Sequence, residues 1–473
     1  MKKIFISFVF SLIVFTVFSQ TTTKLSLKQC VETALANGLP VLQAGLQAKQ
    51  NEITWKQSKL DMLPDLNGNI NHGINRGRSI DPFTNAFIDQ QISFAGYGLS
   101  TGVVLFNGLS MQNIIKQNKL SYDASKMDWQ QAKDNLTINI ILAYLQVLSS
   151  EDVLTQSRNQ AELSKQQVKR LELLNKEGAI PPSQLSDLKG QYAGDQLGII
   201  AAQNALETAK LNLAQLMNVP YDKNISLERL DAEAFAVKYD ETPDKIYQTA
   251  VQQFAQIKAA ELRIAVAVKG IKTAKGQLFP TLSFGINANT NYSSAARQDI
   301  FTGTNTVTTT DFVTVNGTQY NVMKQASSFS SSKINYGKQL NNNLFSSYGL
   351  TLRVPIFNSF QQRNRIKITE LNLKNNQAMT ATAKTQLQQA IEQGYINMNT
   401  ASERYKVLLE QADAFKESFR AAEIRFNNGV GNSIDYLAAK NNLDRTNINL
   451  INARYDFVLR TKLLDYYQGK LSF

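Results

Sequence analysis

One stretch of this chain comes back, and the return limits what the chain can fold into. Tyr97-Gly98-Leu99-Ser100-Thr101-Gly102-Val103-Val104-Leu105-Phe106-Asn107-Gly108 reappears 251 residues later as Tyr348-Gly349-Leu350-Thr351-Leu352-Arg353-Val354-Pro355-Ile356-Phe357-Asn358-Ser359. Each copy is about ten residues of strand-like sequence, and a very long polar, Leu/Ala/Gln-rich run almost free of helix breakers follows each. Phe106 to Gly178 and Phe357 to Gly429 both span 72 residues. The spacing predicts two long helical hairpins of matched reach, with tips at one level.

In chain order, Ser26 is a good N-cap for a helix from Leu27, although Gln29 at its third position reads as only half of a capping box. Gly38-Leu39-Pro40 breaks the run, and a second helix continues to Leu63, where Pro64 stops it. Leu66, Gly68, Ile70 and His72 then alternate with Asn67, Asn69, Asn71 and Gly73, a strand signal over about 66–74. Residues 75–91 read as a loop, and the opening strand follows over about 97–106. Helix is expected from Leu109 to Glu177, with Ile138, Ile141, Leu145 and Leu148 forming a local heptad seam. At ~1.5 Å per residue, such a helix reaches about 100 Å. Gly178-Ala179-Ile180-Pro181-Pro182 turns the chain into a helix from Ser183 to Met217, and a mixed, charged connector occupies 221–243.

The second half replays the first. One helix is expected from Pro243 to Phe279, stopped by Pro280, and a strand over about 282–290. A Ser/Thr/Asn/Gly-rich loop is expected over about 291–343, then the returning strand over about 348–357. Helices over Gln361–Phe426 and from Ser433 to about Tyr467 flank a turn at Asn427-Asn428-Gly429-Val430-Gly431. The organisation is therefore a 1–20 leader, a first repeat over 21–220, a connector over 221–243, a second repeat over 244–469 and a 470–473 tail.

Lys2 and Lys3 precede an apolar run from Ile4 to Phe18, which reads as a signal peptide cleaved near Ser19 or Gln20. The competing reading is a membrane anchor, but the run falls short of the roughly 20 residues a spanning helix needs. Any later contact with a membrane must use a barrel or a surface helix. Cys30 is the single cysteine, so no intrachain disulfide forms. It lacks the small-residue run that precedes a lipidated cysteine and reads as a buried helical thiol. The net charge of +12 comes from Lys and Arg scattered along helices, without a compact basic block, which argues for solvated faces and against nucleic acid.

Chemistry-bearing motifs are missing. His72 is the lone histidine, with no Cys or carboxylate cluster for a metal site and no Ser/His/Asp pattern. Gly270 to Gly276 belongs to a helix and is not a phosphate loop. No catalytic residue, cofactor site or metal site is expected, and no Met-rich or His-rich lining marks metal as cargo.

Four strands cannot close a barrel, but each matches the ~9–11 residues that cross a bilayer with tilt. Three copies would give twelve strands and no free edge. The long helices are too polar for lipid and must extend into water. The fold class expected is mainly α with a β-barrel portion: duplicated helical hairpins and four transmembrane strands per chain. An exported coiled-coil scaffold or adhesin is the alternative, and an outer-membrane enzyme a more distant one.

The duplicated helix-strand-strand-helix-helix order, the Val/Leu/Phe-Asn strand ends at 103–107 and 354–358, and the Gly-led turns resemble the TolC-type outer membrane efflux proteins. The resemblance covers about 26–469. It implies a trimer with a 12-stranded barrel continuous with a helical periplasmic tunnel, and an equatorial region at 221–243. It also implies a periplasmic adaptor, an inner-membrane pump of RND, ABC or MFS type, and no chemistry in the duct itself. Gly429 followed by Asp435 matches the family's aperture carboxylate, for which a helix N-terminal role is an equal reading. Ala438 stands where one member has a second Asp. Phe426, Gly431 and Gln184 stand where that member has a locking tyrosine, arginine and aspartate, which implies a different closure. The resemblance implies that Gly178, Pro181, Pro182, Gly429 and Gly431 belong to adaptor-docking tips; simple helix termination is the other reading of the same turns, and the residues support it directly. Phe106, Asn107, Pro355, Phe357 and Asn358 mark the expected junction of barrel and tunnel, with a bulge or bend expected at Pro355.

Overall fold

The structure is a computed structural model that describes residues 24–80, 85–229 and 241–470. The leader over 1–20, residues 230–240 of the connector and 471–473 of the tail lie outside the described residues. The helices of the first half are α1 (Leu27–Asn37), α2 (Leu39–Leu60), α3 (Ser110–Lys176) and α4 (Pro182–Met217). Its strands are β1 (Asp65–Asn75), β2 (Arg78–Ile80), β3 (Phe87–Asp89) and β4 (Ile92–Phe106). The second half has α5 (Pro243–Gln253), α6 (Ala255–Gly276), β5 (Thr281–Ser293), β6 (Arg297–Val315) and β7 (Thr318–Lys333). It continues with α7 (Tyr336–Asn342), β8 (Phe345–Arg353), α8 (Gln361–Asn427) and α9 (Ser433–Tyr467).

The duplication is visible in helix length: 11 residues for α1 and α5, 22 for α2 and α6, 67 for α3 and α8, and 36 against 35 for α4 and α9. It extends to backbone hand. Left-handed φ values at Gly108 and Leu109 (66° and 62°) return at Ser359 and Phe360 (51° and 60°). Gly178 (72°) returns at Gly429 (73°), and Asn218 (53°) at Gly469 (69°). Every one of these pairs is 251 residues apart, so the same turn geometry closes the same helix ends twice.

Several expectations are corrected. Ser26 makes a full capping box: its hydroxyl accepts from the Gln29 N–H at 3.2 Å, and the Gln29 side chain accepts from the Ser26 N–H at 2.9 Å. The single helix expected over Pro243–Phe279 is broken at Phe254, which has extended backbone (ψ 123°), as Gly38 does between α1 and α2 (ψ 114°). No breaker residue announces the second break. The loop expected over 75–91 contains the short pair β2–β3, and that over 291–343 contains the long antiparallel hairpin β6–β7 and α7. Asn316 and Gly317, both left-handed (φ 52° and 85°), form the two-residue turn between Val315 and Thr318. Asn-Gly between β-branched runs is the strongest short-range hairpin signal, and here it outweighs the Ser/Thr/Asn content.

The chain forms two compact units. Among the described residues, the helical unit comprises 24–51, 120–229, 241–264 and 374–470. Its largest core joins Cys30 and Ala34 of α1, Ile140, Tyr144 and Leu148 of α3, Leu213 of α4 and Val458 of α9. The heptad members Ile138, Ile141, Leu145 and Leu148 are all buried there, because a 3–4–3 step keeps them on one helical face. A second core joins Ile246, Ile257, Ile391 and Leu464 from α5, α6, α8 and α9. The connector is tied in through Leu25, which pairs with Leu227 in a parallel bridge, and through the Tyr144 hydroxyl, which donates to the Glu228 carbonyl at 2.6 Å. Burial pushes the Cys30 thiol up to about 11, so it stays a packed apolar group.

The sheet unit comprises residues 52–119 and 265–373. Its four antiparallel strands run in the order β1-β4-β5-β8, which leaves β1 and β8 as edges.

Candidate functional site

Strand pairing assigns every side chain of the sheet to one of two faces. On one face lie Leu66, Ile70 and Ile74 of β1, Tyr97 and Leu99 of β4, Ile286 of β5, and Tyr348, Leu350 and Leu352 of β8. These side chains are largely unburied: Ile70 is 77% and Tyr348 83% exposed. His72 shares that face and has no metal-binding neighbours among the described residues. The other face is mostly polar and small, with Phe94, Phe345 and Arg353 as its large members. Asn67, Ser100, Asn287 and Ser347 form one rung across the strands, Asn69, Gly98, Asn289 and Phe345 the next, and Asn71, Gly96 and Asn291 a third. On the α2 side, Asp65, Gly102, Gly285 and Gly349 form a rung with three glycines. These four residues line a hollow of about 820 Å³ with Gln57 and Asp61 of the α2 end. The Asp65 carboxylate accepts from the Gly102 N–H at 2.9 Å and from the Asn67 amide at 2.7 Å.

At the end of the sheet away from α2, aromatic side chains gather on the apolar face. The Tyr97 and Tyr336 hydroxyls are 2.6 Å apart, and the Tyr292 and Tyr336 rings are 4.4 Å apart. α7 is fixed there by Gln339, whose side chain accepts from the Ser293 N–H at 2.9 Å and donates to the Ile334 carbonyl at 2.9 Å.

The strand-to-helix junctions share a left-handed turn in the two halves but differ in how the strand ends. β4 ends at Phe106, and Asn107 caps α3 by accepting from the Met111 N–H at 3.3 Å. A Cβ at Gly108 would sit 2.2 Å from the Gly276 carbonyl, so only glycine fits where the turn meets the end of α6. β8 stops at Arg353 and does not reach the expected 357, because Pro355 has no N–H for a ladder. Residues 354–358 are irregular, and Phe357 packs edge-on against Phe360 at 5.6 Å. The bulge in the sheet lies instead in β4, between Val104 and Phe106.

The hairpin tips belong to the helical unit and share a small core of Val168, Leu171, Leu188, Phe426 and Tyr436. Phe426 stacks on Tyr436 at 4.7 Å. Gly178 and Gly429 supply the left-handed turns, Pro181 N-caps α4, and Pro182 occupies its first position. Asp435 is exposed in the first turn of α9, and its N–H donates to the Asn432 side chain at 2.7 Å. That contact makes Asn432 the N-cap of α9 and places Asp435 in the helix's first turn. Arg170 donates to both the side chain and the carbonyl of Asn427, and Ser433 donates to Asp187 at 2.9 Å.

Sequence reading missed the cluster behind the tips. Lys440, 1% exposed, pairs with Asp195 of α4 at 3.0 Å and Asp444 of α9 at 2.6 Å. Asp195 also accepts from Ser164 of α3 at 2.5 Å and Gln191 at 2.8 Å. Burial holds the Asp444 carboxyl above the usual range, against the pull of Lys440. The Tyr436 hydroxyl is buried without a hydrogen-bond partner among the described residues. The i,i+4 pair Lys440–Asp444 was legible; its burial against two other helices was not.

A family model described as outer membrane efflux protein matches residues 30–219 and 246–464. The outer membrane protein TolC of Vibrio cholerae is 21% identical over 418 residues, covering 88% of this chain and 84% of that protein. The TolC of Escherichia coli K12 is 21% identical over 331 residues, covering 70% and 60%. Among solved structures, CusC aligns with a TM-score of 0.74 at 14% identity over 93% of this chain and 91% of that one. The outer membrane protein VceC of Vibrio cholerae aligns with a TM-score of 0.71 at 14% identity over 93% and 96%. These likenesses show the fold.

Proposed function

The chain belongs to the outer membrane efflux protein family, and on that premise we propose that it is the passive exit duct of a tripartite efflux or type I secretion system. The channel family resides in the outer membrane and extends into the periplasm. The observation that carries the finer reading is the sheet: one apolar face, one polar face, and two open edges at β1 and β8. Closing edge on edge, three copies make a twelve-stranded barrel with lipid outside and water inside. The tyrosines at one rim then form the aromatic girdle at a membrane surface. Phe106, Asn107, Pro355, Phe357 and Asn358 mark where this wall gives way to helices. Energy comes from an inner-membrane pump through a periplasmic adaptor, and the duct performs no chemistry.

The tips around Gly178, Pro181, Pro182, Gly429 and Gly431 receive the adaptor in this reading. Asp435, exposed one turn into α9, forms a threefold carboxylate ring at the aperture. Asp435→Ala is expected to change single-channel conductance or cation block in planar bilayers; no change in either removes the role. Fractionation and conductance test the whole reading. A trimer in the outer membrane that conducts supports it. A soluble periplasmic monomer, or a membrane protein without conductance, returns the chain to a scaffold or adhesin.

A further inference from the structure

The two free edges of the sheet carry opposite charges. Asp65 opens β1 and Arg353 closes β8; both are exposed and both stand on the polar face. Within the chain β4 and β5 lie between these edges. The Asp65 carboxylate accepts from the Gly102 N–H and the Asn67 amide, but among the described residues it meets no cation and Arg353 no carboxylate.

Geometry narrows how such edges can meet. Pairing that keeps the polar face polar matches odd-numbered residues of β8 with odd-numbered residues of β1, because a slip of one residue turns a strand over. Within the chain one rung runs from Asp65 through Gly102 and Gly285 to Gly349. Carried into a next copy without stagger, that rung closes upright strands, whereas membrane barrels tilt theirs by ~35–45°. With strands ~4.8 Å apart and residues ~3.3 Å apart, twelve strands tilt by about 35° when each chain adds a stagger of about four residues, and by about 46° at about six. In the direction that keeps the edges overlapped, those two staggers place Arg353 opposite Asp65 or opposite Asn67 of the next copy. Both pair all 9 residues of β8 with residues of β1; smaller or larger staggers leave part of β8 unmatched. Opposite charges on facing positions favour the first.

We propose that the β8 edge of one copy pairs with the β1 edge of a second copy in a single register, with Arg353 facing Asp65, and that this ion pair fixes the register at each seam. This rests on the exit-duct reading, in which three sheets close into a barrel. Thr351 then faces Asn67, Gly349 faces Asn69 and Ser347 faces Asn71. A glycine flanks Asn69 on both sides, Gly98 within the chain and Gly349 across the seam. Edges so rich in Ser, Asn and Gly specify register weakly, and the charged pair supplies what they lack.

Cys30, the single cysteine, is fully buried, so introduced cysteine pairs report alone. Full-length chains carrying Thr351→Cys with Asn67→Cys, Asn69→Cys or Asn71→Cys are oxidised in outer membranes and resolved on non-reducing gels. A disulfide needs Cα atoms within about 7 Å, which directly facing residues meet and diagonal ones, about 7–8 Å apart, do not. The Asn67→Cys pair is expected to link copies about tenfold faster than the other two. A trimer that links fastest through Asn69→Cys or Asn71→Cys overturns the register alone. Copies that stay monomeric and form none of the three bridges remove the barrel premise with it. Arg353→Glu tests the charge while leaving the hydrogen bonds of Asp65 within its own chain intact. In that background the preference for Asn67→Cys over Asn69→Cys is expected to fall below about threefold. An unchanged preference overturns the role of the ion pair.

Discussion

In the helical unit, Ile140, Tyr144 and Leu148 of α3 find their packing partners within the same chain, whereas Leu66, Ile70, Leu350 and Leu352 of the sheet unit stay largely exposed among the described residues. The chemistry of the residues is much the same. The difference lies in the period. A 3.6-residue repeat gathers apolar groups on a stripe that a neighbouring helix covers, while a period of 2 spreads them over a sheet face that needs a second layer or lipid. The helical unit builds cores of its own within the protomer, although Leu46, Leu197, Ile200 and Ile396 stay exposed on its helices, whereas the apolar face of the sheet has no layer over it among the described residues. Polar groups show the same contrast: Lys440 is sealed among carboxylates, and the asparagines of the sheet remain open.

The largest expected effect that would break this contrast is at Lys440. Lys440→Met leaves Asp195 and Asp444 buried without their cation, and should weaken the tip region by about 3–5 kcal/mol, read by hydrogen exchange in α4 and α9. Unchanged protection would mean that the cluster is solvated. The pH dependence has a defined sign. The raised carboxyl of Asp444 contributes stability that is fully present below its unfolded pKa and is lost as pH rises through its folded pKa. With Lys440 removed, the Asp444 carboxyl loses the cation that pulls it down and shifts further upward, so the deficit should shrink as the pH falls from neutral toward about 5.

Next in size is Ile70→Arg on the apolar face, expected to cost about 2–4 kcal/mol if it sits at the bilayer midplane. Trimer recovered from the outer membrane should fall sharply, while Asn69→Arg on the opposite face should leave recovery near wild type. Equal losses would mean that the two faces share one environment. Asn432→Ala removes the α9 cap and should destabilise the second tip by about 1 kcal/mol, visible as faster exchange confined to the first turn of α9. The smallest effect sharpens the contrast from within the helical unit. Tyr436→Phe removes a buried hydroxyl that has no partner among the described residues, and should raise tip stability by less than about 1 kcal/mol. A loss of stability would reveal a bound water there.

Much of the fold was legible because its signals are local. The long helices announce themselves by period and by the absence of breakers, and α9 begins at Ser433 and ends at Tyr467 where the sequence placed it. The alternation of Asn67, Asn69 and Asn71 with Leu66, Ile70 and Ile74 already separated the two faces of β1. One error came from weighing composition over a specific local signal, the β6–β7 hairpin marked by Asn316-Gly317, and another from discounting Gln29 as the reciprocal partner in the capping box of Ser26. The break at Phe254 had no local signal. Its N–H bonds to the Ala250 carbonyl, and its ring packs edge-on against Tyr466 of α9 at 5.3 Å, so the bend answers a tertiary neighbour.

The sequence by itself determined the duplication, the equal 72-residue spacings of the two long hairpins, the turn residues at Gly178 and Gly429, and the two-faced character of the first strand. All of these follow from spacing along the chain, where steric preference and hydrophobic period act over a few residues. Only the tertiary structure decided that β4 and β5 stand side by side, so that Asn69 and Asn289 share the space above Gly98. It alone decided that Lys440 meets an aspartate 245 residues away. Such partners are chosen by which helices and strands come into contact. Burial then turns a chance meeting of charges into a fixed pair, because an unpaired charge in that space would cost too much to keep.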